Sequence, residues 1–137
     1  MKSLGIDFGE ARIGVAIADD LGMMAHPLET IKVKEVEPLA RIAQIVARDK
    51  IGTIVLGLPR NMDGSYGPAS EKARAFAEKL RAKTPCEVKL WDERLTSVAA
   101  QKSLHAAGRN VKHSRSVIDQ VAAQMILQSW LDSQAMS

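Results

Sequence analysis

The chain has a single cysteine, Cys86, so no internal disulfide can form. The Lys83-Thr84-Pro85 ahead of it reads as a connection into a strand, not as the surroundings of a reactive thiol. A lone cysteine suits reducing cytosol, and a cytoplasmic location is expected. No apolar run approaches the roughly 20 residues that a bilayer-spanning helix needs, and Met1-Lys2-Ser3 leads straight into a strand-like segment instead of a secretory leader. These lacks predict a soluble chain with no membrane partner. Nor do the glycines spell a Walker loop or a dinucleotide fingerprint, which disfavours nucleoside-triphosphate chemistry. A nucleophile–base pair is missing too: His26 precedes a proline, while His105 and His113 fall on a helix and a basic stretch, away from Cys86. Charge excess is small, 19 Lys plus Arg against 16 Asp plus Glu, and only mildly favours an anionic partner.

What is present is a regular alternation of elements. A length of 137 residues with 46% apolar content supports one domain over residues 1–137. Residues 3–8 and 12–18 are β-prone and apolar, joined by Gly9-Glu10-Ala11, and predict an antiparallel hairpin. A third strand is expected over residues 25–33, with Pro27 placing it at an edge. Val36, Leu39, Ile42, Ala43 and Val46 fall three or four apart, as one helix face requires. Residues 53–58 form a β-branched run that reads as a buried parallel strand. A loop from Pro59 to Gly67 follows, then a helix beginning at Pro68 and ending about Lys83. Residues 87–91 predict a fifth strand, and Thr96 caps a helix ending near Gly108. Residues 109–115 carry Arg109, Lys112, His113 and Arg115 without apolar periodicity and are expected to be a basic loop. The last helix is expected over residues 117–131, with Ile118, Val121, Ala122, Met125 and Trp130 towards the core. The class is α/β: a mixed five-stranded sheet, a three-stranded antiparallel meander plus parallel strands, flanked by helices.

Three acids stand where this pattern places strand and helix ends. Asp7 closes the first apolar strand, where an unpartnered charge is costly; a local role, accepting from the following turn or pairing with Arg12, competes with a role as metal ligand. Glu93 follows the fifth strand, at the carboxyl end where α/β proteins bind ligands, although Glu93-Arg94 also reads as a plain surface pair. Asp119 lies three residues after Ser116, so Ser116-Val117-Ile118-Asp119 also fits a helix-capping arrangement. Taken together, three carboxylates suit Mg²⁺ or Mn²⁺, hard ions that activate water and neutralise the charge of a phosphodiester.

The segment Asp7-Phe8-Gly9-Glu10-Ala11-Arg12-Ile13-Gly14-Val15-Ala16 resembles the opening signature of the YqgF/RuvX family, itself similar to Holliday-junction resolvases. Gly57-Leu58-Pro59 with Met62-Asp63-Gly64 resembles its central loop, and Asp92-Glu93-Arg94-Leu95-Thr96-Ser97 its strand-end motif. Ile118-Asp119, Ala122-Ala123 and Ile126-Leu127 resemble its last helix, so the likeness runs almost end to end. It implies a ribonuclease H-like fold and a nuclease of pre-16S ribosomal RNA processing, with Asp7, Glu93 and Asp119 as the acidic triad. One departure stands out. Resolvases of similar fold usually bring two acids from the last helix, whereas Ser116 and Ala122 flank Asp119 here at helical spacing. Asp92 does not replace the missing acid, because adjacent strand residues face opposite ways.

The leading expectation is thus metal-dependent hydrolysis of an RNA phosphodiester, with Asp7 and Glu93 bridging the metals and Asp119 completing one coordination sphere. Arg12, Arg60, Lys72, Lys112 and Arg115 are the candidates for contacts to phosphates. Two alternatives stand beside it: a resolvase of branched DNA, which needs a symmetric dimer instead of a monomer, and a catalytically weak nucleic-acid-binding factor of ribosome assembly. An actin-like phosphotransferase, whose phosphate hairpin opens with a similar Asp-x-Gly, needs two such domains and more chain than this.

Overall fold

The computed structural model describes residues 2–59, 63, 65–93 and 111–135, with side chains from 117 onward in the last stretch. Five strands are formed: β1 (Lys2–Asp7), β2 (Arg12–Ala18), β3 (Ala25–Lys32), β4 (Ile51–Leu58) and β5 (Glu87–Asp92). Three helices accompany them among the described residues: α1 (Pro38–Asp49), α2 (Pro68–Lys83) and α3 (Val111–Ala135). The sheet order is β3-β2-β1-β4-β5, antiparallel from β3 to β1 and parallel from β1 to β5. The expected meander with added parallel strands is therefore present. The helix expected over residues 96–108, together with Arg60 and Arg109, lies outside the described residues.

Proline shapes both the edge and the first helix. Pro27 sits on edge strand β3, where its lack of an N–H is tolerated, and the β2–β3 register shifts between Val15 and Ala16. At α1 the helix starts two residues later than the apolar spacing indicated, because Pro38 occupies the first turn and Glu37 caps it, its carboxylate accepting from the Ala40 N–H at 2.5 Å. Lys50, at φ 55, closes the helix in the left-handed conformation.

The core is split by the sheet. On one face, Leu4, Ile6, Ile54 and Leu56 pack with Ile42, Ile45, Ala73, Phe76 and Leu80 of α1 and α2. On the other, Ala16, Ala18 and Val55 pack with Ala122, Ala123, Ile126, Leu127 and Leu131 of α3. Two expectations for this last helix are corrected. It begins at Val111, so residues 111–115 are helical and not a loop, and Ser116 lies inside the helix and cannot cap it. Lys and Arg are good helix formers, so the lack of an apolar period did not exclude a helix here. Its buried stripe also passes through Ala123, Ile126, Leu127 and Leu131; Met125 and Trp130 pack against it as expected, whereas Ile118 and Val121 are only partly covered.

A bidentate pair ties β3 to α1: Arg41 donates to Glu29 through Nη2 at 2.6 Å and Nε at 2.9 Å. These bonds hold the Glu29 carboxyl below its ordinary value of 4.5, against the upward push of partial burial. A depressed carboxyl stabilises above its unfolded value, and that stability is lost as pH falls through the folded one. Arg41→Met is expected to lower the urea midpoint at pH 7 and to differ less and less from wild type as pH drops below about 4.5. An undiminished gap at pH 3 would exclude Glu29 as the partner that matters.

Candidate active site

Asp7 is the last residue of β1 and is 5% exposed, a buried acid at the carboxyl end of a central strand. Its directly opposed partner on β2 is Gly14, and opposed residues of an antiparallel pair share a face. That face is the one under α3. A Cβ added at Gly14 would stand 1.9 Å from the carbonyl oxygen of Asp119, so the helix backbone rests directly on the glycine. The missing side chain is what brings Asp119 down beside Asp7.

On the other flank of Asp7, β4 continues past the Ile6–Leu56 pair to Gly57. A Cβ there would meet Ile126 of α3 at 2.5 Å and the Cγ and Cδ of Glu93 at 3.2 and 3.3 Å. The Glu93 side chain thus crosses Gly57 on the α3 face. Trp91, two residues earlier, shares that face and donates from Nε1 to Ser129 of α3 at 3.0 Å. Val88 and Leu90 pack into the opposite cluster, which puts Asp92 with them and away from Glu93, as strand alternation requires.

Asp7, Glu93 and Asp119 therefore lie towards one end of the sheet, on its α3 face, with Gly14 under the Asp119 backbone and Gly57 under the Glu93 side chain. Asp119 is 14% exposed at its side chain and accepts from Arg12 Nε at 2.9 Å. Arg12, read from sequence as a contact to phosphate, bonds the helix acid through its Nε from the first residue of β2. Among the described residues, no three acidic, histidine or cysteine side chains stand close enough to form a ready-made metal site. Lys72 pairs with Glu10 across the mouth of a neighbouring cleft. Lys112 and Arg115 belong to α3, their side chains outside the described residues, as is Arg60. Cys86 is buried against the Ile51 carbonyl, and burial pushes its thiol up, which suits a structural residue.

A mixed sheet in this order, helices on both faces and acids at the carboxyl ends of β1 and β5 and on α3 define a ribonuclease H-like α/β domain, the fold of nucleases that hydrolyse phosphodiester bonds. The chain belongs to the RuvX family, described as Holliday junction resolvase, which matches residues 1–133. It is 47% identical over 137 residues to a Halalkalibacterium halodurans protein, covering 98% of each chain, and 44% identical over 136 residues to one from Bacillus subtilis, covering 97% of this chain and 99% of that one. Both relatives are named "Putative pre-16S rRNA nuclease". In fold it is similar to RuvC of T. thermophilus in complex with Holliday junction substrate, with TM-score 0.59, 15% identity, and 98% and 96% of the two chains covered. The fowlpox virus Holliday junction resolvase gives TM-score 0.53 at 13% identity, covering 97% of this chain and 99% of that one. No helix among the described residues is long and apolar enough to cross a membrane.

Proposed function

We propose that this chain is a divalent-metal-dependent nuclease of the cytoplasm that processes the 5′ end of pre-16S rRNA, residues 1–137 acting as one nuclease domain. The observation that supports the reading is that Asp7, Glu93 and Asp119 lie on one face towards one end of the sheet, Asp7 opposed to Gly14, the Asp119 backbone resting on Gly14 and Glu93 lying against Gly57. Their donors are all carboxylate oxygens, the set that Mg²⁺ and Mn²⁺ prefer, and they fit such an ion in kind. Asp7, Glu93 and Asp119 would hold it. When bound, the ion supplies a Lewis acid that makes water nucleophilic at neutral pH and offsets the charge of the phosphodiester.

The chain's own residues do the rest. Arg12 holds the Asp119 carboxylate in place. The buried setting of Asp7 keeps bulk water from competing for its oxygens. Arg60, Lys72, Lys112 and Arg115 are proposed, with Arg12, to hold the substrate backbone, which positions a strand without reading its sequence. The family description favours a second reading, resolution of a four-way DNA junction, for which a dimer presents two such sites.

Purified protein is expected to cut a precursor 16S RNA 5′ segment in Mn²⁺ and not in chelator, and to leave a four-way DNA junction intact. Junction cleavage with RNA spared would establish the resolvase in its place. Failure to cut either substrate would sink the enzymatic reading and leave a binding role in ribosome assembly.

A further inference from the structure

Around the end of β1 from the acids, on the α2 side of the sheet, lies a cleft of about 190 Å³ lined by Phe8, Gly9, Glu10, Pro59, Ala69 and Lys72. Building on the nuclease reading, we propose that this cleft takes one unpaired guanine base of the substrate strand.

Size comes first. A cavity of about 150 Å³ holds a benzene ring, so this cleft admits one heteroaromatic base and excludes a base pair. Its walls have the right character. Phe8 offers an aromatic ring that Phe76 fixes at a centroid distance of 4.7 Å, and Pro59 and Ala69 add apolar surface. Bases stack on such rings whatever their sequence. The Pro59 wall is held as well, since its carbonyl accepts from the hydroxyl of Ser70, which is 1% exposed.

Selectivity lies at the mouth. Glu10 and Lys72 pair there with side chains 67% and 56% exposed. An ion pair this exposed holds weakly and opens at little cost. Once parted, the carboxylate accepts from ring and amino N–H groups and the ammonium donates to a carbonyl oxygen. Guanine carries both on one edge, two adjacent N–H donors beside its carbonyl, and so is the base that engages both residues. Adenine and cytosine lack the ring N–H, and uracil lacks the amino group.

Phe8 follows Asp7 and faces the opposite side of the sheet, so the base sits around the strand end from the acids. It belongs to a nucleotide beside the scissile phosphate, not at it. A base in this position has left its stack, which selects a single-stranded or splayed substrate over continuous duplex. Lys72, whose ammonium carries three N–H donors, then serves the base edge in addition to the backbone.

The test is a titration of the four ribonucleoside 5′-monophosphates and of inorganic phosphate into ¹⁵N-labelled protein in chelator, following the amides of Gly9, Glu10, Ala69 and Lys72. Guanosine monophosphate is expected to move these signals saturably and to bind about tenfold more tightly than the other three, as one extra hydrogen bond to a charged group allows. Glu10→Gln and Lys72→Met are each expected to weaken it about tenfold, with the remaining spectrum unchanged. Equal binding of all four nucleotides, equal shifts with inorganic phosphate, or no shift at all would overturn the proposal. Because no cleavage is involved, an inactive protein that still binds guanosine monophosphate refutes the nuclease reading and not the pocket.

Discussion

Asp7→Asn is expected to lower metal-dependent cleavage by at least about 100-fold while the chain stays folded. Changes one shell out from a metal already cost 10- to 100-fold, so loss of a direct ligand costs no less. The substitution keeps size and shape but removes the charge that the proposed function assigns to binding a cation. Asp7 is 5% exposed, so any effect of the substitution on stability is read separately from its effect on activity. Initial rates in Mn²⁺ together with thermal melts separate the two effects. Glu93→Gln and Asp119→Asn should follow the same pattern. Full activity in Asp7→Asn would remove it from the site, and a collapsed melt would mean that its charge serves the fold.

The second large effect is expected at Gly14→Val. Here the first added carbon meets helix backbone, at 1.9 Å from the Asp119 oxygen and 2.4 Å from its carbonyl carbon. No rotamer change relieves a contact between backbones, so α3 must lift from β2. Overpacking of this kind costs about 3 kcal/mol or more, and for a domain of this size that lowers the melting temperature by about 10 °C. Cleavage should fall too, because the lifted helix carries Asp119 away from Asp7 and breaks its bond to Arg12. A variant that melts within about 2 °C of wild type would show that the helix does not rest on this glycine in solution.

The strands and the first two helices were legible because their signals are local. Period-two and β-branched runs marked β1, β2, β4 and β5, Pro27 marked the edge, and Pro68 marked the start of α2. The last helix was harder. Lys112, His113 and Arg115 gave no apolar period, yet they belong to the helix, and Lys and Arg have good helix propensity. Its buried stripe depends on how closely Gly14 and Gly57 let it approach, which sequence spacing does not encode. Asp7 and Glu93 were legible as strand-end carboxylates, whereas Asp119 lies inside its helix and not at its start, and the acids' partners were not legible. Arg12 and Asp119 are 107 residues apart, and Lys72 and Glu10 are 62 apart, so only the folded chain shows each pair. The cleft beside Phe8 likewise had no signal in the sequence, since its wall comes from three separate segments.

Strand β3 leaves one border of the sheet without a neighbour among the described strands. Such a border is a template on which a second chain can lay down its own strand, the first step towards aggregation. Pro27 interrupts the row of donors, and the irregularity opposite Val15 and Ala16 bends it. The proline that looks like a flaw in the strand thus acts as a guard, letting the protein work at cellular concentrations without polymerising through its own sheet.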